Sequence, residues 1–490
     1  MNNHKTYKKI SSELGVLYFF QIFAIIIGFF IFPLLTRYLT IEDYGIYSLL
    51  IITINLTTSI LSLGLNNFIQ RDLTGKTDTY KKNKFSIINS FYLVNIVILS
   101  ILFLIFLLIN KKINIINEIL AIYLFFSIII IYYSNIFIAY INSQLKIKKA
   151  SIHAHLLIEG WYVPIILLGI ILNNLNVNLI FLLKSLTSLS VFILIILSIK
   201  KIKRLFKFNL DKVYLKKALI YGFPFIPIII AQSIITASDR YFIKILSTNI
   251  NLGYYAYMYT LVAFIATMGS QINNVLKHYL IEAKNKKQKQ RVNFLFNASL
   301  KYSLLLTIPA IVGLYVLKTE IITAISGPKY LAAIYILPIL MFFPLFRIIN
   351  LNLQNILILK KNTKKISNIY LSGTITNILL NFLLIPQYGI LGAAIATTAT
   401  YAIMTILFIK ATKNQYKLNF NFLKIPQILI SSTIMYITLS FLSPTNIYSK
   451  IATILLGVFV YFISIIITKG YVKEEKELIK NILKIKKYRP

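Results

Sequence analysis

The chain has 490 residues, of which 58% are hydrophobic and 13% charged, and its mean hydropathy is +0.75. Its formal net charge of +38 would point to nucleic acid in a soluble protein, but the hydropathy and the placement of the charges speak against that class. It contains no cysteine, which excludes disulfides, thiol catalysis and cysteine-ligated metals.

Apolar runs of roughly 20 residues, enough to cross a bilayer, recur along the chain. In order they fall near 14–36, 44–69, 85–109, 116–140, 154–172, 177–199, 214–238, 252–276, 294–316, 330–352, 366–385, 387–409, 425–443 and 447–468. The first is too long for a signal-peptide core and lacks a small-residue cleavage site, so it reads as a retained span. The fold class expected is therefore an all-α polytopic membrane protein with about fourteen transmembrane helices.

Fourteen spans put both termini on one side. On that side lie 41 of the 52 Lys and Arg residues; the opposite loops hold 8, and 3 (Lys184, Lys301, Arg347) lie inside spans. The positive-inside rule then places both termini in the cytoplasm. The basic loops become topology signals facing anionic membrane lipids, and no nucleic-acid partner is expected. The tail beyond 470 interleaves Val472, Leu478, Ile479, Ile482, Leu483 and Ile485 with Lys and Glu. It reads either as an amphipathic helix at the membrane surface or as a solvated tail that enforces topology.

A short pattern occurs once in each half. Arg37-Tyr38 ends one run and Tyr44-Gly45-Ile46-Tyr47 opens the next; Arg240-Tyr241 ends another and Gly253-Tyr254-Tyr255-Ala256 opens its successor. The helix opened by Gly45 is expected to end near Gly64 with Asn66-Asn67, and that opened by Gly253 near Gly269 with Asn273-Asn274. Six helices separate the two copies, so the halves are co-oriented lobes related by an axis along the membrane normal. Prolines interrupt several runs. Pro224 and Pro227 beside Gly222 mark the seventh run as a bent helix, either a static kink or a hinge. The outer loops are short (173–178; Gln387-Tyr388), leaving no outer domain to house a catalytic centre, and no enzyme is expected.

Tyr221-Gly222-Phe223-Pro224, then Asp239-Arg240-Tyr241 and Leu252-Gly253-Tyr254-Tyr255-Ala256, resemble the start of the second lobe of bacterial polysaccharide flippases. The stretch 377–397, through Asn381, Pro386, Tyr388, Gly389 and Ala393, is similar to their eleventh-to-twelfth helix junction. Pro33-Leu34-Leu35-Thr36-Arg37-Tyr38-Leu39 with Tyr44-Gly45 is similar to their first-to-second junction. The resemblance covers the chain to about residue 470 and is to the O-antigen and capsule oligosaccharide flippases of the multidrug/oligosaccharidyl-lipid/polysaccharide exporter superfamily. It implies two six-helix lobes, 1–204 and 205–415, around a V-shaped central cavity, two extra C-terminal helices in 416–470 and a cytoplasmic basic tail from 471 to 490. It also implies alternating access in the bacterial cytoplasmic membrane. The cargo would be an undecaprenyl-diphosphate-linked oligosaccharide, and the pathway partners a polysaccharide polymerase and glycosyltransferases. The lobe's Asp-Arg pair carries over to Asp239 and Arg240, and Arg37 matches the first lobe's basic residue.

A diphosphate in a hydrocarbon barrier calls for a shielded cationic lumen, and guanidinium suits it because its planar fork binds phosphate oxygens bidentately. Lysines outnumber arginines 45 to 7, so an arginine in a span stands out. Arg347, with Asn350, Asn352, Gln354 and Asn355 following on one polar face, is a candidate cargo contact, or else a structural ion pair. Arg37 and Arg240 are cargo or gate contacts, or cap and snorkel at the outer interface. Lys184 and Lys301 are further lumen candidates. Asp239 reads as one half of a gating salt bridge. Glu159, near His153, His155 and Trp161, is a candidate for proton or sodium coupling, or else a structural partner of a neighbouring lysine. Asn89, Asn95, Asn135, Asn377 and Asn381 suit glycan hydroxyls or interhelical bonding. No cofactor or metal site is expected. The readings left open are a multidrug or peptidoglycan-precursor exporter of the same superfamily, a membrane polymerase or glycosyltransferase, and a structural scaffold.

Overall fold

The structure, a computed structural model, describes residues 23, 26–113, 117–172, 175–199, 202–223, 226–413, 423–442 and 444–470. Among them every regular element is helical and no strand occurs. Contacts divide the chain into two compact units, Met1–Ala237 and Ser238–Pro490.

Unit 1 holds α1 (Ile26–Tyr38), α2 (Ile41–Leu61), α3 (Leu65–Leu73), α4 (Asp78–Ile113), α5 (Glu118–Ser143), α6 (Ile147–Glu159), α7 (Tyr162–Leu172), α8 (Val177–Leu197) and α9 (Lys212–Gly222). The division falls within α10 (Ile226–Leu246). Unit 2 continues with α11 (Asn249–Asn285), α12 (Lys289–Val316), α13 (Lys318–Ser326), a 3-10 segment (Pro328–Ile336), α14 (Leu337–Leu340) and α15 (Phe342–Leu359). It closes with α16 (Thr363–Tyr388), α17 (Ile390–Thr412), α18 (Ile425–Ser440) and α19 (Ile447–Ile467).

Nine of the described helices are long and apolar enough to cross a membrane, or ten if α9 and α10, bent by 52°, form one span. This falls short of the fourteen expected. The run at 154–172 breaks at Gly160 into α6 and α7, and α18 is only 16 residues long. Helix α11 is long enough, but Tyr254, Tyr255, Tyr257 and Tyr259 lower its apolar average, although the last three bury their rings. The start of the first expected run, the tail from 471 and Pro224 lie outside the described residues.

Short polar residues open the spans. Thr40 Oγ1 accepts the Asp43 amide at 3.0 Å, Asn176 Oδ1 that of Leu179 at 2.8 Å, and Asp211 Oδ1 that of Tyr214 at 3.0 Å. Each satisfies an N–H that no helical carbonyl reaches.

The two repeat copies part company after their second helix. Leu63 (φ 46°) and Gly64 (φ 71°) leave the right-handed region, so α2 stops and α3 starts afresh. Gly269 instead stays helical and α11 runs through to Asn285; the expected end near Gly269 does not occur. Gly64 abuts Gly222 backbone to backbone: a Cβ on Gly222 would lie 2.2 Å from the Leu63 carbonyl oxygen. The segment before α9 is sewn to α4. Asn89 Nδ2 donates to the Leu205 carbonyl at 3.0 Å, the Asn209 amide to Ser90 Oγ at 2.9 Å, and Lys84 Nζ to Asp211 at 3.3 Å. The expected lobe boundary at 204/205 therefore falls inside unit 1, with α9 packed on α3 and α4. In unit 2, α18 and α19 pack on α12 through Met435, Leu439, Tyr461 and Leu317, and the Tyr461 hydroxyl donates to the Leu305 carbonyl at 2.9 Å.

Candidate functional site

Three successive residues of α10, Ser238, Asp239 and Arg240, are all buried. A buried ion pair is tolerated only when its remaining hydrogen-bonding capacity is met. Here it is. Tyr255 of α11 donates to Asp239 Oδ2, Thr397 of α17 lies 3.5 Å from the same oxygen, and the Arg240 amide donates to Oδ1 at 2.8 Å. Arg240 Nη1 sits 3.8 Å from Asp239 Oδ1.

The guanidinium of Arg240 lies 4.5 Å from the Tyr259 ring centroid. Tyr259 stacks on Phe343 of α15 at 5.3 Å, and Phe343 meets the edge of Tyr401 of α17 at 4.8 Å. On the same helix as Phe343, half-buried Arg347 holds its guanidinium 5.8 Å from that ring. Arg240 and Arg347, 107 positions apart in the sequence, thus bracket one aromatic trio inside unit 2. Cation–π contact supports a guanidinium where water is scarce.

Polar residues around this trio bind one another. Ser238 donates to Asn377, Asn381 Nδ2 reaches Asn377 Oδ1 at 3.2 Å, and Asn377 Nδ2 reaches Thr400 at 3.3 Å. Beyond Arg347, Asn350 Nδ2 donates to the Tyr401 carbonyl at 3.1 Å and Asn355 Nδ2 to Asn273 at 3.1 Å. Asn350 and Asn355 of the expected polar face of α15 therefore join helices, while Asn352 donates to the Ile348 carbonyl of its own helix at 3.0 Å; Asn89 and Asn95 join elements in unit 1.

Unit 1 holds a different arrangement. Lys184 of α8 is 5% exposed, with its ammonium 4.6 Å from the Trp161 ring. Tyr47 packs on Trp161 at 6.1 Å and on Phe181 at 6.4 Å, and Tyr162 on Trp161 at 4.5 Å, forming an aromatic box. Among the described residues no carboxylate lies within ion-pair distance of Lys184. Glu159 pairs with His155 Nδ1 at 3.0 Å, a histidine of its own helix in place of the neighbouring lysine expected. Lys301 of α12 is 1% exposed, 5.9 Å from the Tyr302 ring. Arg37 is exposed at the end of α1. Gly222 ends α9, and Pro227 is the second residue of α10, where its missing N–H costs nothing.

Both arginines, Asp239 and Lys184 stand out in the sequence. Tyr259, Phe343 and Tyr401 do not. The spacing of Tyr255 and Tyr259, four residues apart on one face of α11, is the signal that could have pointed to them.

Residues 34–337 match the family model described as "Polysaccharide biosynthesis protein". The chain is 24% identical over 197 residues to the probable low-salt glycan biosynthesis flippase Agl15 of Haloferax volcanii, a match covering 40% of this chain and 42% of that protein. It is 38% identical over 108 residues to the uncharacterized membrane protein MJ1068 of Methanocaldococcus jannaschii, covering 21% of each. Among solved structures, the inward closed conformation of the lipid II flippase MurJ matches with a TM-score of 0.74 and 20% identity, covering 91% of this chain and 97% of that one. An inward-facing multidrug resistance MATE family transporter matches with a TM-score of 0.63 and 11% identity, covering 80% and 94%. The helical order, the apolar spans and the family match agree: this chain belongs to the polysaccharide biosynthesis protein family and has the fold of the multidrug/oligosaccharidyl-lipid/polysaccharide exporter superfamily.

Proposed function

We propose that the protein is a flippase that turns a polyprenyl-diphosphate-linked oligosaccharide from one membrane leaflet to the other by alternating access. The observation that carries this reading is the pair Arg240 and Arg347 bracketing Tyr259, Phe343 and Tyr401 in a membrane-embedded unit. The guanidinium of Arg347, near the Asp239-paired Arg240, stabilises a multiply charged diphosphate, and aromatic faces offer stacking surface to sugar rings. The likeness to a protein named a glycan biosynthesis flippase supports the same class of cargo. Lys184 and Lys301 add positive charge within the membrane, the bend at Gly222 serves as the hinge between states, and Glu159 with His155 is the site where a proton or sodium ion would couple. The Lys- and Arg-rich loops face the cytoplasm.

Purified protein reconstituted into liposomes should carry a fluorescent polyprenyl-diphosphate saccharide to the opposite leaflet. Arg347→Glu should abolish transport while the variant still inserts and unfolds at the same temperature. Normal transport by that variant would sink the cationic-site argument.

A further inference from the structure

Helix α3 carries two faces. Leu65, Phe68, Ile69 and Leu73 are buried, whereas Asn67, Gln70, Arg71 and Thr74 fall at i, i+3, i+4 and i+7 on the exposed side. An ordinary amphipathic helix would simply turn such a polar stripe to water. The surroundings argue for more. The stripe forms one wall of an open cavity of about 660 Å³, closed by Asn142 and Leu145 from the end of α5 and by Tyr221 of α9. That volume lies within the range of sites that take small organic ligands.

The charges are arranged for an anion. Arg71, one of seven arginines among 52 basic residues, lays its guanidinium over the Tyr221 ring at 4.6 Å. Tyr221 packs in turn on Phe68, at 5.7 Å, which anchors that ring to the core. Among the described residues no carboxylate lies within ion-pair distance of Arg71. The neighbouring acid is held elsewhere: Asp72 accepts from Tyr214 at 2.8 Å, Lys217 at 3.1 Å and Tyr80 at 3.2 Å. The cavity wall therefore holds a positioned guanidinium, three amide side chains and two hydroxyls, with no acidic side chain.

We infer that this cavity in unit 1 is an anion site of the phosphate or diphosphate class, with Arg71 as its charged contact. It shares no residue with the Arg240–Arg347 pair. Asn67, Gln70 and Asn142 supply neutral donors to the remaining oxygens, as a phosphate with several acceptor oxygens requires. Exposed Leu145 at the rim suits an apolar chain attached to that headgroup.

The test is binding by the full-length protein in phosphatidylcholine nanodiscs. Inorganic diphosphate is titrated in one arm, and undecaprenyl diphosphate is incorporated in the bilayer in the other. Both are measured on the wild type, Arg71→Gln, Arg71→Lys and the double variant Arg240→Gln/Arg347→Gln. Arg71→Gln should weaken binding about tenfold or more, and Arg71→Lys should restore part of it, because charge without the fork is a poorer match. Saturable, Arg71-dependent binding of inorganic diphosphate identifies a soluble anion as sufficient; dependence seen only with the lipid identifies the lipid-linked headgroup. Either result supports the site. Equal binding by wild type and Arg71→Gln in both arms overturns it, as does binding lost only in the double variant. Because Arg71 is exposed, Arg71→Gln should keep the wild-type unfolding temperature. Transport by Arg347→Glu is read separately, so this site and the flippase reading fail independently.

Discussion

The two units each enclose a cation in aromatic rings, and they balance its charge in opposite ways. In unit 2, Arg240 lies against Tyr259 and brings its own acid, Asp239, which Tyr255 and Thr397 hold. In unit 1, Lys184 lies against Trp161 without a carboxylate among the described residues. Lys184 and Thr397 occupy the same register from the first residues of their helices, Val177 and Ile390. At that level α8 carries a lysine and α17 a hydroxyl turned towards a carboxylate. Unit 1 thus buries a lysine with no acid beside it among the described residues, and unit 2 an arginine with its acid.

This contrast can be broken by mutation. The largest effect is expected from Asp239→Asn, which leaves Arg240 buried without its counter-charge and should cost about 3–5 kcal/mol. Thermal unfolding in detergent reads it, and Asp239→Asn/Arg240→Gln together should recover much of the loss. If the double variant were as unstable as the sum of both single ones, the pair would not be coupled. Lys184→Met should behave oppositely. It removes a buried charge that has no acid to strand, so stability should hold or rise while flipping slows. A large drop in stability would show that Lys184 has an acidic partner and that the two centres are alike.

A smaller effect should follow from Trp161→Leu, which deletes the ring under Lys184 and should cost about 1–2 kcal/mol of cation–π and packing energy. Tyr259→Leu is its counterpart in unit 2 and should cost less, because Arg240 keeps Asp239. The reverse order would contradict the charge balance drawn above.

The mildest expected change is with pH, at the end of unit 1 where α3 meets α9. Burial pushes the Asp72 carboxyl up, but hydrogen bonds from Tyr214 and Lys217 outweigh it and hold the group below the usual carboxylate range. A carboxylate depressed on folding stabilises the folded form above its unfolded pKa of about 4, and the gain is lost as pH falls through the folded value. Protection of the α9 amides, read as hydrogen exchange relative to the intrinsic rate at each pH, should therefore fall below that pH in the wild type. In Asp72→Asn that protection should already be reduced at neutral pH and fall no further there.

The membrane class was legible because a water-soluble core seldom calls for apolar runs of about twenty residues, one after another. The Asp239-Arg240 pair was legible through the family resemblance, whereas the charge count put Arg240 in an outer loop and the structure buries it within α10. The count of spans was less so. Tyrosines weigh against α11 on any hydropathy average although Tyr255 and Tyr257 are wholly buried. The aromatic trio was hidden for another reason: Tyr259, Phe343 and Tyr401 come from three helices, and no local pattern announces which faces will meet. Asn350 and Asn355 looked like a cargo-facing stripe because a sequence cannot show that their amides are spent on Tyr401 and Asn273. Arg71 is hidden among the loop cations that set topology, since every basic residue weighs the same in that tally.

Gly64 and Gly222 meet with no side chain between them. Neither can gain even a methyl group without driving one backbone into the other, at about 1–3 kcal/mol or more for such overpacking. Since the obstacle is the partner's main chain, no compensating change of side chain on the other helix can relieve it. The two positions, 158 residues apart in the sequence, therefore behave as a single heritable trait: both glycines are kept together, or the crossing of α3 and α9 is rebuilt.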